Sequence, residues 1–196
     1  LYETYPYRGT FDGNGHTLNV NISGGSLNSI AIFRFVDNAT FSDLHITGNI
    51  NTNQMYAGSL IGRIQNGHSV IIENCRSSIT LNNSINGDAT MGGFVGLVGD
   101  NGSVSFRNCK FDGIFDGANC SHIGGFIGCC LENTTETIEN CLFAPASINT
   151  KPDGCQTWVR KYNSSILTIV NSYATRDFTG LVVIRTANDW TTFRDM

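Results

Sequence analysis

Charge is scarce in this sequence. Only 14% of its 196 residues are Asp, Glu, Lys or Arg, and helices need such side chains, with Ala, to cover their solvent faces, so almost no helix is expected. The 12 basic and 16 acidic residues are scattered and sum to −4. Without a basic run there is little to release counterions from a phosphate backbone, which argues against nucleic acid as a partner. Nor is there a stretch of about 18 apolar residues, so no segment here is long enough to span a membrane as a helix. The zinc-protease pattern His-Glu-x-x-His is missing, and the four histidines stand alone at positions 16, 45, 68 and 122. No cofactor and no metal site is read from the sequence.

What the chain has instead is Gly and Asn, 22 of each, residues that turn a backbone between short strands. They recur in order. Glu73-Asn74-Cys75 returns as Arg107-Asn108-Cys109, as Glu139-Asn140-Cys141 and, altered, as Val170-Asn171-Ser172, at a nearly constant interval. A second landmark keeps phase with it: Ser59-Leu60-Ile61-Gly62, Gly93-Phe94-Val95-Gly96 and Gly125-Phe126-Ile127-Gly128, each with its Asn at the same distance past the closing Gly. Asp43-Leu44 marks a divergent first copy. Two landmarks in phase define an internal repeat.

Each copy divides into three short apolar runs, in the second Leu60 to Ile64, Val70 to Cys75 and Ile79 to Leu81. One such rung has no partners for its own backbone N–H and C=O groups. Stacking the next rung at about 4.8 Å satisfies them along parallel sheets. The reading is an all-β parallel β-helix, about three short strands per rung and about five rungs, as a single domain over 1–196. Divergent first rungs occupy 7–50, regular repeats 51–150, and divergent last rungs with a cap 151–196. The opening in mid-motif reads as a piece of something longer. Stacking predicts a ladder of Asn74, Asn108, Asn140 and Asn171 at a turn, with Cys75, Cys109 and Cys141 as an inward column of free thiols, since parallel neighbours aim their Cβ bonds alike.

The Gly-apolar-apolar-Gly element followed by Asn-Cys resembles the GLUG repeat of bacterial surface proteins. Gly9-Thr10-Phe11-Asp12-Gly13-Asn14-Gly15-His16-Thr17 is similar to the signature that precedes such repeats. The resemblance covers about residues 7 to 145, with an echo to about 185. It implies a right-handed coil, an extracellular or bacterial cell-surface location, and a role in adhesin-like proteins or in the non-catalytic regions of immunoglobulin A metallopeptidases. Ser59 in place of Gly, and the loss of Gly-x-x-Gly after Trp158, are departures from it.

The resemblance brings no active site, and no catalytic residue is assigned. Glycan-cleaving β-helices need carboxylates that converge beside a cation. Asp112 and Asp116, four apart on one strand face, are about 13 Å from each other by strand geometry. Cys120, Cys129, Cys130 and Cys155 lie outside the thiol column, and a bridge among them requires an oxidising compartment. Cys120-Ser121-His122 matches no common zinc spacing. Towards the end of the chain Trp158, Arg160 and Tyr162 combine aromatic and basic side chains. They read either as a ligand-binding ledge or as structure at the end of the coil; Trp190 and Phe193 read as a cap over the last rung.

The expectation is a non-enzymatic secreted or cell-surface module that binds or displays, with a host glycan or surface protein as partner, monomeric by itself. The competing expectations are a polysaccharide lyase or hydrolase, and a spacer beside a catalytic domain.

Overall fold

The computed structural model describes residues 3–25 and 28–179. Among them there is no helix, and none long and apolar enough to cross a membrane. The chain winds as a β-solenoid of about five turns. Every named strand pairing is parallel, because each strand meets its equivalent from the neighbouring turn.

Corner residues delimit the turns. Asp43, Asn74, Asn108, Asn140 and Asn171 all adopt positive φ, between 45° and 54°. This left-handed geometry is costly for most residues but is accepted by Asn and Asp, whose short polar side chains bond locally. The repeated Asn is thus a backbone requirement, and Asp43 meets it in the first copy.

Three faces follow in each turn. One carries Ile61–Ile64, Val95–Val98, Ile127–Cys130 and Val159–Lys161. The second carries Ser69–Glu73, Ser103–Arg107, Thr135–Glu139 and Ile166–Val170. In the first turn a single strand, Phe33–Ser42, serves both. The third face begins with Thr17–Ser23, His45–Thr52 and Arg76–Asn83 and is broken in later turns. A short side strand, seen as Ser29–Ile30, Tyr56–Gly58 and Met91–Gly92, adds a fourth element to the three runs expected per rung.

The core is built of columns. Phe41, Ile72, Phe106 and Ile138 stack inward from the second face. Phe94 and Phe126 stack from the first with ring centroids 5.1 Å apart. Such contacts between apolar neighbours one turn apart bury every core side chain against the turns on either side, which is why a lone rung has no stability of its own.

Gly-x-x-Gly has a steric cause. A Cβ on Gly93 would lie 2.6 Å from Phe111 Cδ2, and one on Gly125 2.8 Å from Phe143 Cε2. The closing glycines meet the side strand: a Cβ on Gly128 would lie 2.5 Å from the Thr90 carbonyl oxygen. Ser59 escapes the first clash because Ser77 occupies the position of Phe111. Its hydroxyl donates instead to the Gly93 carbonyl at 2.6 Å. Thr157 likewise stands opposite a turn in which Ala174 takes the place of Phe143.

Candidate functional site

Hydrogen bonds link Asp43, Asn74 and Asn108 along the corner, and Cys75, Cys109 and Cys141 lie inward beside it. Asn74 Nδ2 donates to Asp43 Oδ1 at 3.1 Å, and Asn108 Nδ2 to Asn74 Oδ1 at 3.0 Å. Cys75, Cys109 and Cys141 are buried and all seven cysteines are free. The thiols do more than fill space. The Cys109 N–H donates to Cys141 Sγ at 3.4 Å, and the Cys141 N–H to Ser172 Oγ at 3.0 Å. Each sulfur or hydroxyl thereby accepts the amide that the left-handed corner before it turns away from the backbone ladder. Burial pushes the Cys75 thiol up to about 11 and raises the Cys109 thiol as well, so these two sulfurs are poor nucleophiles.

Trp158, Arg160 and Tyr162 have different surroundings. Trp158 follows Phe126 in the aromatic stack, 5.2 Å centroid to centroid, because Val159 is in register with Ile127. The clue in the sequence was phase: Trp158 stands at the same interval past Phe126 as Phe126 does past Phe94. Trp158 also lines a cavity of ≈ 440 Å³ on the last turn with Ile169, Asn171, Ser172 and Tyr173. Arg160 reaches back to Asp88 Oδ1 at 3.1 Å and Thr90 Oγ1 at 3.2 Å. Tyr162 is 51% exposed. Trp190 and Phe193 lie outside the described residues. Phe178 instead packs on Phe115 and Phe143, with centroids at 5.4 and 5.8 Å.

A polar network that sequence reasoning missed occupies the outer side of the third face. Register places His45, Arg76 and Lys110 in one column and Thr47 and Ser78 in the next. Asp112 accepts from Arg76 Nε at 3.0 Å, from Ser78 Oγ at 2.5 Å and from Lys110 Nζ at 3.2 Å. Burial alone would raise the Asp112 carboxyl, but bonds from Arg76, Ser78 and Lys110 outweigh it and hold the group below its usual range. With the Ser78 proton committed to Asp112, His45 Nε2 must be the donor across the 2.9 Å to Ser78 Oγ. Burial, then the Arg76 charge, lowers the His45 pKa and keeps the ring neutral. The proton therefore runs from His to Ser to Asp, opposite to the flow from a nucleophile to its base. Only cross-strand register brings these residues together. Asp116, which strand geometry sets apart from Asp112, accepts from Asn149 Nδ2 at 2.8 Å. Among the described residues no three His, Cys, Asp or Glu side chains form a metal-binding group.

The outer side of the second face is different in kind. Thr10, Thr40, Ile71, Ser105, Thr137 and Thr168 form one column along the coil axis. Ser69, Ser103 and Thr135 form another, with Ser103 Oγ donating to Ser69 Oγ at 2.7 Å. A shallow trough of ≈ 430 Å³ opens at its first turns, lined by Thr10, Asn38, Thr40, Ser69 and Ile71 among others. Charge lies at the borders of this face: Arg107 stands between Glu73 and Glu139 at 3.5 Å from each, and at the opposite edge of the first turn Arg8 pairs with Asp37.

These features define a β-solenoid with a hydroxyl-lined flank that carries charge only at its borders. Compared with known proteins, the chain matches no family model, no curated protein and no solved structure.

Proposed function

We propose that the chain is a non-enzymatic module of a secreted or cell-surface protein that binds along its flank, and that its ligand is a neutral, extended polysaccharide. The observation that supports this reading is the pair of hydroxyl columns on the second face. Hydroxyls both donate and accept, as sugar hydroxyls do. They repeat at the strand spacing of about 4.8 Å, a step comparable to one unit of an extended sugar chain. Ile71, 41% exposed at the edge of the trough, offers an apolar contact for the C–H face of a ring. The absence of charge inside the strip favours a neutral chain over an acidic one. A surface location is suggested by the resemblance to GLUG-repeat proteins.

The test is a screen of immobilised neutral and acidic polysaccharides with the wild type, a Thr40→Val/Ile71→Asp variant and a Trp158→Ala/Tyr162→Ala variant. Retention on a neutral polysaccharide that is lost in the first variant and kept in the second is expected. Loss in the second variant alone would move the site to the last turn. Failure of the wild type to bind any glycan would favour a spacer or a protein-binding module.

A further inference from the structure

Glu136 is out of place. Its column on the second face reads Val70, Val104, Glu136, Leu167, so the side chain points into the core, and it is 0% exposed. Neither carboxyl oxygen has a hydrogen-bond partner of proper geometry. The polar groups beside it are Cys130, Thr134 and Lys161. Two of them, Thr134 and Lys161, are already engaged. Ser165 Oγ donates to the Leu131 carbonyl at 2.7 Å, which leaves Thr134 Oγ1 to donate to Ser165 Oγ at 2.8 Å. Lys161 Nζ donates to the Ser165 carbonyl at 2.9 Å. A buried carboxylate without a hydrogen-bond partner costs several kcal/mol, by the order of magnitude for burying a charge, and the Lys161 charge offsets only part of that, so the neutral acid is favoured. Burial raises the Glu136 carboxyl above its usual 4.5, against the opposing pull of Thr134, Cys130 and Lys161.

The bonds that would have to break to solvate an ionised Glu136 are those that fasten one segment. Thr134 and Lys161 both hold Ser165, which closes the bend between Val159–Lys161 and Ile166–Val170. Turning the Thr134 hydroxyl toward the carboxylate gives up its bond to Ser165, and drawing the Lys161 ammonium over to it pulls on the Ser165 carbonyl, so both loosen that bend. We propose that Glu136 is a proton-controlled latch: with its carboxyl protonated the bend at 161–165 stays docked, and loss of that proton frees residues 159–170 from the turn below. Among the described residues, the groups facing Glu136 that titrate are Cys130 from the first face of its own turn and Lys161 from the last turn. The neighbours on its own face, Val104 and Leu167, do not titrate.

The sign follows from linkage. A carboxyl whose folded pKa is raised stabilises the docked form fully below its unfolded value of about 4.5, and that contribution is lost as pH rises through the folded value. The test is amide hydrogen exchange on the whole chain between pH 4.5 and 8, read as protection factors so that intrinsic exchange cancels. Amides of Ile166–Val170 are expected to lose protection by about tenfold or more, up to about tenfold per pH unit for one linked proton. Those of Ser69–Glu73 should be unchanged. Glu136→Gln should remove the pH dependence, as should Glu136→Val, which restores the residue found at positions 70 and 104. Flat protection in the wild type, or the same pH dependence in either variant, would overturn the proposal.

Discussion

At the scale of single residues, the thiol column shows how one atom can satisfy two requirements. Each corner Asn takes a left-handed backbone, and the next amide points into the core with no carbonyl to meet it. A sulfur from the following turn accepts it, and Ser172 does the same with oxygen. What position 141 needs is therefore a small side chain with an acceptor, rather than cysteine chemistry. Cys141→Ser should be mild, whereas Cys141→Ala should cost about 1–3 kcal/mol, the usual penalty for a buried amide left unpaired. Urea denaturation of the two variants beside wild type checks this; equal losses would show that volume alone matters. The Asn was legible in the sequence as a ladder, since its spacing repeats. Its amide-satisfying partner was not, because a Cys reads equally well as plain core filling.

At the scale of the element, the unit that repeats is a pair: an opening residue of Gly-x-x-Gly and the residue that packs on it from the third face. Gly93 meets Phe111 and Gly125 meets Phe143, whereas in the turn of Ser59 the register puts Ser77 in the place of Phe111. Ser77 is fully buried and its hydroxyl has no partner, so the second copy runs on a less favourable version of the pair. Ser77→Phe alone forces a ring against the Ser59 side chain and should destabilise. Adding Ser59→Gly should relieve the clash, giving a favourable coupling of about 0.5–3 kcal/mol in a double-mutant cycle. Additive effects would show that the two positions do not meet. In the sequence the exchange of Gly for Ser looks minor. The fold makes it one half of a compensated change, because Ser77 is remote from Ser59 along the chain and adjacent to it only after a full pass through two faces. Trp158 is the related case: it reads as an exposed aromatic when scanned locally, and as the next ring of the Phe94–Phe126 stack once the turns are superposed.

At the scale of the whole molecule, two carboxyls set opposing limits on pH. Asp112 is held below the usual range by Arg76, Ser78 and Lys110, so its contribution is complete above the unfolded value of about 3.8 and is lost as pH falls through the lower folded value. Glu136 acts with the reverse sign and erodes the last turn as pH rises above about 4.5. Denaturation midpoints measured across pH should pass through a maximum in the weakly acidic range, and Asp112→Asn should flatten the acid limb while leaving the alkaline limb in place. A wild-type acid limb unchanged by that substitution would remove Asp112 from the account. If the flank binds polysaccharide, the latch and the ligand sit on the same face. Opening of the last turn would then shorten the hydroxyl column by the turn that carries Thr168.

By itself, the sequence determined that the chain is a coil of stacked turns, at what interval those turns recur, and that the repeated apolar and cysteine columns face inward. Those properties are periodic, and the recurrence of Asn at 74, 108, 140 and 171 is visible without coordinates. It also placed the Asn corners and the buried cysteines, since a left-handed corner and an apolar column each demand a narrow set of residue types. Only the tertiary structure decided which chemically active side chains meet. His45, Ser78 and Asp112 come from three successive turns, and Glu136 is buried because its strand faces the core, where its neighbours along the chain are Thr135 and Thr137 and give no warning. The physical reason is that stacking makes neighbours of residues about one period apart. The period itself is written in the repeat, whereas the polar side chains that depart from it acquire partners only through register.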